Sequence, residues 1–291
     1  ANRFGCDASE LLVTRGSSEA IDLLVRSFCR AGQDSVLTTA PTFSMYRHYA
    51  DMQGAAVIEV PTDATQDFAV DVDALLAACN ADTRLIFLCS PNNPTGTTLS
   101  RAGLERLLSA RSRRSAVVID EAYIEFGKEP SAIELLDRFP ILLILRTLSK
   151  ALALAGARCG AVIGHGPVID MLSAVQAPYA MSTPVVECVE DALRNEQLAL
   201  AEKAVAATIA ERERLISSIS AYSFVTRVWP SAGNFFLARV EDANRLMQHC
   251  ADRGILLRHF GGDLHDFVRI SVGSVADNDQ LLRALDALEE S

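Results

Sequence analysis

Seven short apolar runs, separated by stretches of helical periodicity, fill the chain from residue 11 to about residue 180. They lie at 11–14, 36–39, 56–60, 85–90, 116–120, 142–147 and 159–164. Runs as apolar as Leu85-Ile86-Phe87-Leu88-Cys89 leave no polar face for water, so each strand must be covered on both sides. That condition is met by a mostly parallel sheet between two layers of helices. The spacing predicts helices from residue 17, with Ile21, Leu24, Val25 and Phe28 on one face and Gly32 ending it. It also predicts helices from Pro41 onward with Phe43 in the first turn, over 72–79 and over 101–110. From Ser182 the pattern changes. Helical stretches at 185–194 and 197–220 precede strand-like runs at 224–228, 234–238, 255–260 and 267–272, with helices around 245–253 and 277–288. The expected fold class is α/β: a three-layer αβα large domain, residues 1–181, with a mostly parallel seven-stranded sheet. A smaller C-terminal α+β domain, residues 182–291, follows.

Bulk properties exclude several partners. Of 291 residues 49% are apolar and 22% charged, which suits a globular chain. A net charge of −10 opposes nucleic acid or an anionic membrane as the main partner, while local arginines leave room for a small anion. No uncharged apolar run is long enough to span a bilayer, and the start does not read as a signal peptide. The chain begins without methionine, which suggests that an N-terminal part is missing. Seven cysteines, an odd number without a Cys-x-x-Cys pair, read as reduced core thiols of a cytoplasmic protein. Five histidines form no ligand spacing, so no metal site is expected. Gly164 and Gly166 do not complete a dinucleotide fingerprint, because Ile169 stands where the third small residue belongs.

The chemistry-bearing residues cluster at the ends of the apolar runs. The run 142–147 ends in Thr147-Leu148-Ser149-Lys150, and Arg158 follows. Only three of the 27 basic residues are lysine: Lys128, Lys150 and Lys203. Arginine stays protonated, whereas a desolvated lysine can lose its proton and attack a carbonyl. Lys150 is either such a nucleophile or a lysine snorkelling at a strand end. The run 85–90 enters Pro91-Asn92-Asn93-Pro94-Thr95-Gly96, a turn made stiff by its prolines, with Asn93 biased to extended geometry. Rigid turns at the carboxyl ends of parallel strands are where open α/β sheets hold ligands. Asp120 ends the fifth run, as a crevice acid or a local cap. Ser17 and Ser18 open the first helix, whose free N–H groups suit an anion unless the serines merely cap it. Phe43 is core, or stacks on a flat ring.

Taken in order, Ser90-Pro-Asn-Asn-Pro-Thr-Gly96, Asp120-Glu-Ala-Tyr123, Thr147-Leu-Ser-Lys150, Arg158 and Phe267-Val-Arg-Ile-Ser-Val-Gly273 resemble the fold-type I pyridoxal-phosphate aminotransferases. The wording around Asp120 and Lys150 looks like the histidinol-phosphate aminotransferase family in particular, and the likeness covers essentially the whole chain. It implies pyridoxal 5'-phosphate as cofactor, with Lys150 joined to its aldehyde and acting as general base and acid. Asp120 would pair with the ring nitrogen, Tyr123 and Asn93 with the ring 3-oxygen, and Phe43 would stack on the ring. Ser17, Ser18, Thr147, Ser149 and Arg158 would hold the phosphate. Arg269, Arg258 and Asn93 would meet the substrate. The reaction implied is exchange between histidinol phosphate and 2-oxoglutarate, with a small-molecule amino donor, a 2-oxo acid acceptor and a homodimer. Two features depart from the family. No residue matches the arm tyrosine that reaches a partner's cofactor, and Phe43 stands where tyrosine is frequent. The same motifs also suit an aromatic amino-acid aminotransferase, or a lyase resembling threonine-phosphate decarboxylase. A cofactor-sensing regulator would need a DNA-binding segment, and neither a helix-turn-helix nor a basic arm is visible.

Overall fold

The computed structural model of the chain describes residues 1–112 and 114–290. The apolar runs become β1 (Leu11–Thr14), β2 (Ser35–Ala40), β3 (Ala56–Pro61), β4 (Thr83–Cys89), β5 (Ala116–Asp120), β6 (Leu142–Thr147) and β7 (Gly160–Gly164). They form one sheet in the order β1-β7-β6-β5-β4-β2-β3. β7 runs antiparallel to both neighbours, and every pairing among β2 to β6 is parallel.

The period-2 alternation divides each strand between two apolar layers. Phe87, Val118, Leu143, Leu145 and Val162 point to one face, where Ile21, Leu24 and Val25 of α1 (Gly16–Phe28) meet them together with Tyr46 of α2 (Met45–Gln53). Ile86, Leu88, Val117, Ile119 and Ile144 point to the other. There they pack on Leu75 of α3 (Val72–Ala78) and on Leu104, Leu107 and Leu108 of α4 (Arg101–Arg111). α5 (Gly166–Val175) adds Ile169 and Leu172 to the first layer. Each fully buried Leu, Ile, Val or Phe contributes roughly 1.5–3 kcal/mol, so the two layers account for the sandwich.

Three local expectations are corrected. α1 stops at Phe28, where Cys29 turns extended and its N–H closes on the Val25 carbonyl. Gly32 instead makes the positive-φ turn leading to β2 and donates to the Gly54 carbonyl. Phe43 lies two residues before α2, because Ser44 is the helix N-cap. Of the run 255–260, only two residues pair as a strand, β10.

Beyond α6 (Thr183–Ala192) and α7 (Asn195–Ile219), a second sheet gathers β8 (Val225–Val228), β9 (Phe235–Val240), β10 (Arg258–His259) and β11 (Phe267–Ser271). All its pairings are antiparallel, in the order β10-β11-β9-β8. α7, α8 (Ala243–Ala251) and α9 (Val275–Glu289) cover one face, around Leu215, Phe236, Val268, Ile270 and Leu285. The other face meets the large sheet's loops. Phe235 stands edge-on to Tyr123 with centroids 5.0 Å apart, while Trp229, Leu237 and Phe267 enclose Phe68. Arg212 of α7 is buried and donates to the Phe126 carbonyl at 3.0 Å and the Gly233 carbonyl at 2.8 Å. Among the described residues no helix is long and apolar enough to cross a membrane, and no His/Cys/Asp/Glu group could hold a metal ion.

Candidate active site

Chain order in the large sheet reverses between β2 and β4, and the crevice at the carboxyl ends of these strands is where such sheets hold ligands. A cavity of about 160 Å³ opens there, lined by Ser17, Ser18, Phe43, Cys89, Asn93, Asp120, Ala122, Tyr123, Thr147, Ser149, Lys150, Ala155 and Arg158. Ten of the twelve residues singled out from the sequence therefore converge on one space, and only Arg258 and Arg269 stand outside its lining.

Asp120 ends β5 on the same face as Val118, and only 2% of it is exposed. The Tyr46 hydroxyl donates to Oδ2 at 2.8 Å and the Ala122 N–H to Oδ1 at 3.1 Å. Burial pushes the carboxyl pKa up, and these two donors and the charge of Lys150 pull against it. Lys150 follows β6 and is half-buried. Its pKa is lowered, first by burial and then by the charge of Arg269; Arg158 adds to this and Asp120 opposes it. A larger neutral fraction is what a carbonyl-attacking amine needs. Its Nζ lies 5.1 Å from the centre of the Tyr123 ring. Burial raises the Tyr123 hydroxyl pKa, so that hydroxyl keeps its proton at neutral pH.

Part of the same lining gathers donors that suit an anion. α1 begins at Gly16, its N-cap is Arg15, and no side chain caps it. Ser17 and Ser18 are thus inside the first turn rather than capping it, and first-turn N–H groups have no helical acceptor. Two glycines allow the approach. A Cβ on Gly16, whose φ is +75°, would come within 2.5 Å of Arg158 Nη2, and one on Gly160 would lie 2.9 Å from Ser17 N. Thr147 Oγ1 lies 2.9 Å from Ser149 Oγ and accepts from the Ser149 N–H at 3.1 Å. Arg158 donates to Ser149 Oγ at 3.5 Å and to the Ala155 carbonyl at 3.1 Å. Its own backbone is left-handed, with φ 51°. That conformation costs a non-glycine residue about 1–2 kcal/mol, a strain typical of sites where geometry is imposed.

Asn93 links the cavity to the second sheet, since its Oδ1 accepts from Arg269 Nη1 at 2.7 Å. Among the described residues Arg269 Nε is buried without a partner, and its guanidinium lies 5.0 Å over Phe235. Arg258 stands directly opposite Arg269 across the β10–β11 pair, is exposed, and rests 5.7 Å over Phe260.

The donor set suits pyridoxal phosphate part by part. Uncapped N–H groups, two hydroxyls and a guanidinium match a phosphate, a buried carboxylate matches a protonated ring nitrogen, and Phe43 offers an aromatic face. Sequence reasoning missed two neighbours of Asp120. Cys89 pairs with it in register across β4 and β5 and could have been found by counting alternate residues. Tyr46 is 74 positions away and left no local sign.

The family model for class I and II aminotransferases matches residues 1–288. A histidinol-phosphate aminotransferase of Xylella fastidiosa (strain 9a5c) is 43% identical over 286 residues, covering 97% of this chain and 78% of that protein. One of Stenotrophomonas maltophilia (strain R551-3) is 43% identical over 288 residues, covering 98% and 79%. The solved histidinol-phosphate aminotransferase from Sinorhizobium meliloti, in complex with pyridoxal 5'-phosphate, superposes with a TM-score of 0.89 at 24% identity, covering 100% of this chain and 79% of that one.

Proposed function

The chain belongs to the class I and II aminotransferases, which work with pyridoxal 5'-phosphate, and we propose that it moves the amino group of histidinol phosphate to 2-oxoglutarate. The products are imidazole-acetol phosphate and glutamate, within histidine biosynthesis. One observation carries the reading: a desolvated lysine, a buried carboxylate and an uncapped helix start share one cavity. Identity above 40% to histidinol-phosphate aminotransferases along nearly the whole chain supports this substrate over the aromatic and lyase alternatives.

When bound, the cofactor supplies an aldehyde and an electron-withdrawing ring that stabilises negative charge at the substrate Cα. Lys150 would hold the cofactor through its aldehyde and, once the incoming amine has released it, its amine would serve as the base that takes the Cα proton and the acid that gives it up. Asp120 would pair, as the carboxylate, with the protonated ring nitrogen. Tyr123 and Asn93 would donate to the ring 3-oxygen, and Phe43 would cover one face of the ring. The first-turn N–H groups of Ser17 and Ser18, the hydroxyls of Thr147 and Ser149, and Arg158 would hold the phosphate. Arg269 binds the anionic end of each substrate. Arg258, its neighbour across the strand pair, adds a second cation. Two like charges facing each other disfavour the pairing, and an anion between them relieves that repulsion.

Residues 1–181 are read as the cofactor-binding unit and 182–291 as the smaller one. α6 buries no side chain and Tyr179 is 98% exposed, which supports a homodimer covering this face. Seven unpaired cysteines support a cytoplasmic location.

The test is purified holoenzyme given histidinol phosphate and 2-oxoglutarate. Glutamate should form in step with imidazole-acetol phosphate. Conversion of phenylalanine but not histidinol phosphate would move the reading to an aromatic aminotransferase. Carbon dioxide released from phosphothreonine without 2-oxoglutarate would move it to a lyase.

A further inference from the structure

Tyr46 is a fully buried tyrosine with no part in the assignments above. Its ring lies flat on Phe87 of β4, with centroids 4.9 Å apart and planes 8° apart. Phe43 meets it edge-on at 5.7 Å. Between them the ring has one place to go, and its hydroxyl ends 2.8 Å from Asp120 Oδ2. The Ala122 N–H takes the other oxygen. Asp120 is thus held by two donors from different elements, one on α2 and one in its own turn. A buried tyrosine hydroxyl is normally placed to satisfy itself. This one instead meets the carboxylate on the cavity wall.

We infer that Tyr46 is a positioning residue: its hydroxyl holds the Asp120 carboxylate ionised and aimed at the cofactor ring nitrogen, while its ring seats Phe43 against the ring face. The inference rests on the assignment of Asp120 to that nitrogen. The physical reason is the dry surroundings. Asp120 is desolvated, so its charged form needs donors, and a hydrogen bond to a buried charge counts for more than one between neutral groups. Four titratable groups face it: Tyr46 from α2, Cys89 from β4, Tyr123 from the turn after β5, and Lys150 after β6. Burial holds Tyr46, Cys89 and Tyr123 in their protonated, neutral forms. Lys150 can be cationic while its amine is free, and in the holoenzyme that amine would be engaged by the cofactor aldehyde. Tyr46 is then the side chain that steadily stabilises the Asp120 charge. Without the hydroxyl Asp120 binds its proton more tightly, so the ionised form is lost at a higher pH as pH falls.

The substitution Tyr46→Phe keeps the stacking on Phe87 and removes only the oxygen. Pyridoxal phosphate affinity is measured by equilibrium dialysis on the wild type, Tyr46→Phe, Asp120→Asn and the double variant, with a melting temperature for each. The expected results are about tenfold weaker cofactor binding for Tyr46→Phe, the size of a lost hydrogen bond to a charged group, and an affinity that falls off at higher pH on acidification. On the Asp120→Asn background, Tyr46→Phe should change affinity by less than about twofold, because the two act as one unit. Unchanged affinity in Tyr46→Phe, or an equal loss on both backgrounds, overturns the inference. The second outcome would mark Tyr46 as packing alone. Should Asp120→Asn itself bind the cofactor as tightly as wild type, the assignment of Asp120 fails and takes this inference with it.

Discussion

Lys150 binds its proton less firmly than an exposed lysine, because burial and the guanidiniums of Arg269 and Arg158 oppose its charge. Lowering an amine's pKa enlarges its neutral fraction at a given pH, and only the neutral amine attacks a carbonyl. Replacing Lys150 with alanine should abolish borohydride trapping of the cofactor on the protein. Turnover should drop by about 10²–10⁴ or more, the range for loss of a general base; retained trapping would remove Lys150 from its role. The sign of the Arg269 effect is testable as well. Arg269→Gln takes away a neighbouring positive charge, so the lysine pKa rises. The pH profile of carbonyl capture by the cofactor-free protein should therefore move to higher pH. A move to lower pH would contradict the electrostatic account.

Helix α1 and strand β7 meet at two glycines, and no side chain fits between them. A methyl on Gly160 would sit 2.8 Å from the Gly16 carbonyl carbon and 2.9 Å from Ser17 N, both backbone atoms that cannot swing aside. Gly160→Ala should therefore cost roughly 1–3 kcal/mol, as overpacking does, and should weaken phosphate binding by displacing the first turn of α1. Denaturant titration and inorganic phosphate binding read the two effects, and an unshifted midpoint would mean that the helix moves freely. At the other end of α1, Asp34 precedes β2 and accepts from Arg30 at 2.8 Å and Arg84 at 2.9 Å. These partners hold its carboxyl far below the usual carboxylate range. A carboxyl depressed by folding contributes stability above its unfolded pKa, near 3.9, and that contribution is lost as pH falls below about 4. Asp34→Asn should lower the melting temperature at pH 7 and flatten its dependence on pH below 4. An unchanged slope there would show that the ion pairs add nothing.

At the scale of the whole molecule, the second sheet reaches the cavity through two of its lining residues, Asn93, which accepts from Arg269, and Tyr123, which packs on Phe235. Phe235 is 1% exposed, packs edge-on against Tyr123, and carries the Arg269 guanidinium on its ring. Its ring thus joins Arg269 of the second sheet to Tyr123 of the cavity lining. Phe235→Ala should cost about 3–5 kcal/mol by leaving a cavity. It should also raise the apparent KM for histidinol phosphate, as Arg269 loses its support. A variant with wild-type stability would show that the two sheets are held together elsewhere, at Trp229 and Phe68 or at Arg212.

Apolar alternation was enough to place the seven strands and the small C-terminal sheet, and the ordered motifs, through the family they resemble, singled out ten cavity residues. Those properties are local: a strand's burial and a turn's stiffness are written within a few adjacent side chains. What lay beyond reach depends on where distant chain segments meet. The pairing of Tyr46 with Asp120 joins residues 74 apart. The hydrogen bond between Arg269 and Asn93 spans 176 positions. The position of Phe43 ahead of its helix, and the retreat of Arg258 to an exposed edge, follow from capping and strand register. The amino-acid order set the fold and the chemical inventory of the cavity, because hydrophobic period and residue type are carried one residue at a time. Which of these groups touch, and how strongly each is desolvated, was decided only by the packed chain, because burial and hydrogen bonding belong to pairs of atoms and not to a residue alone.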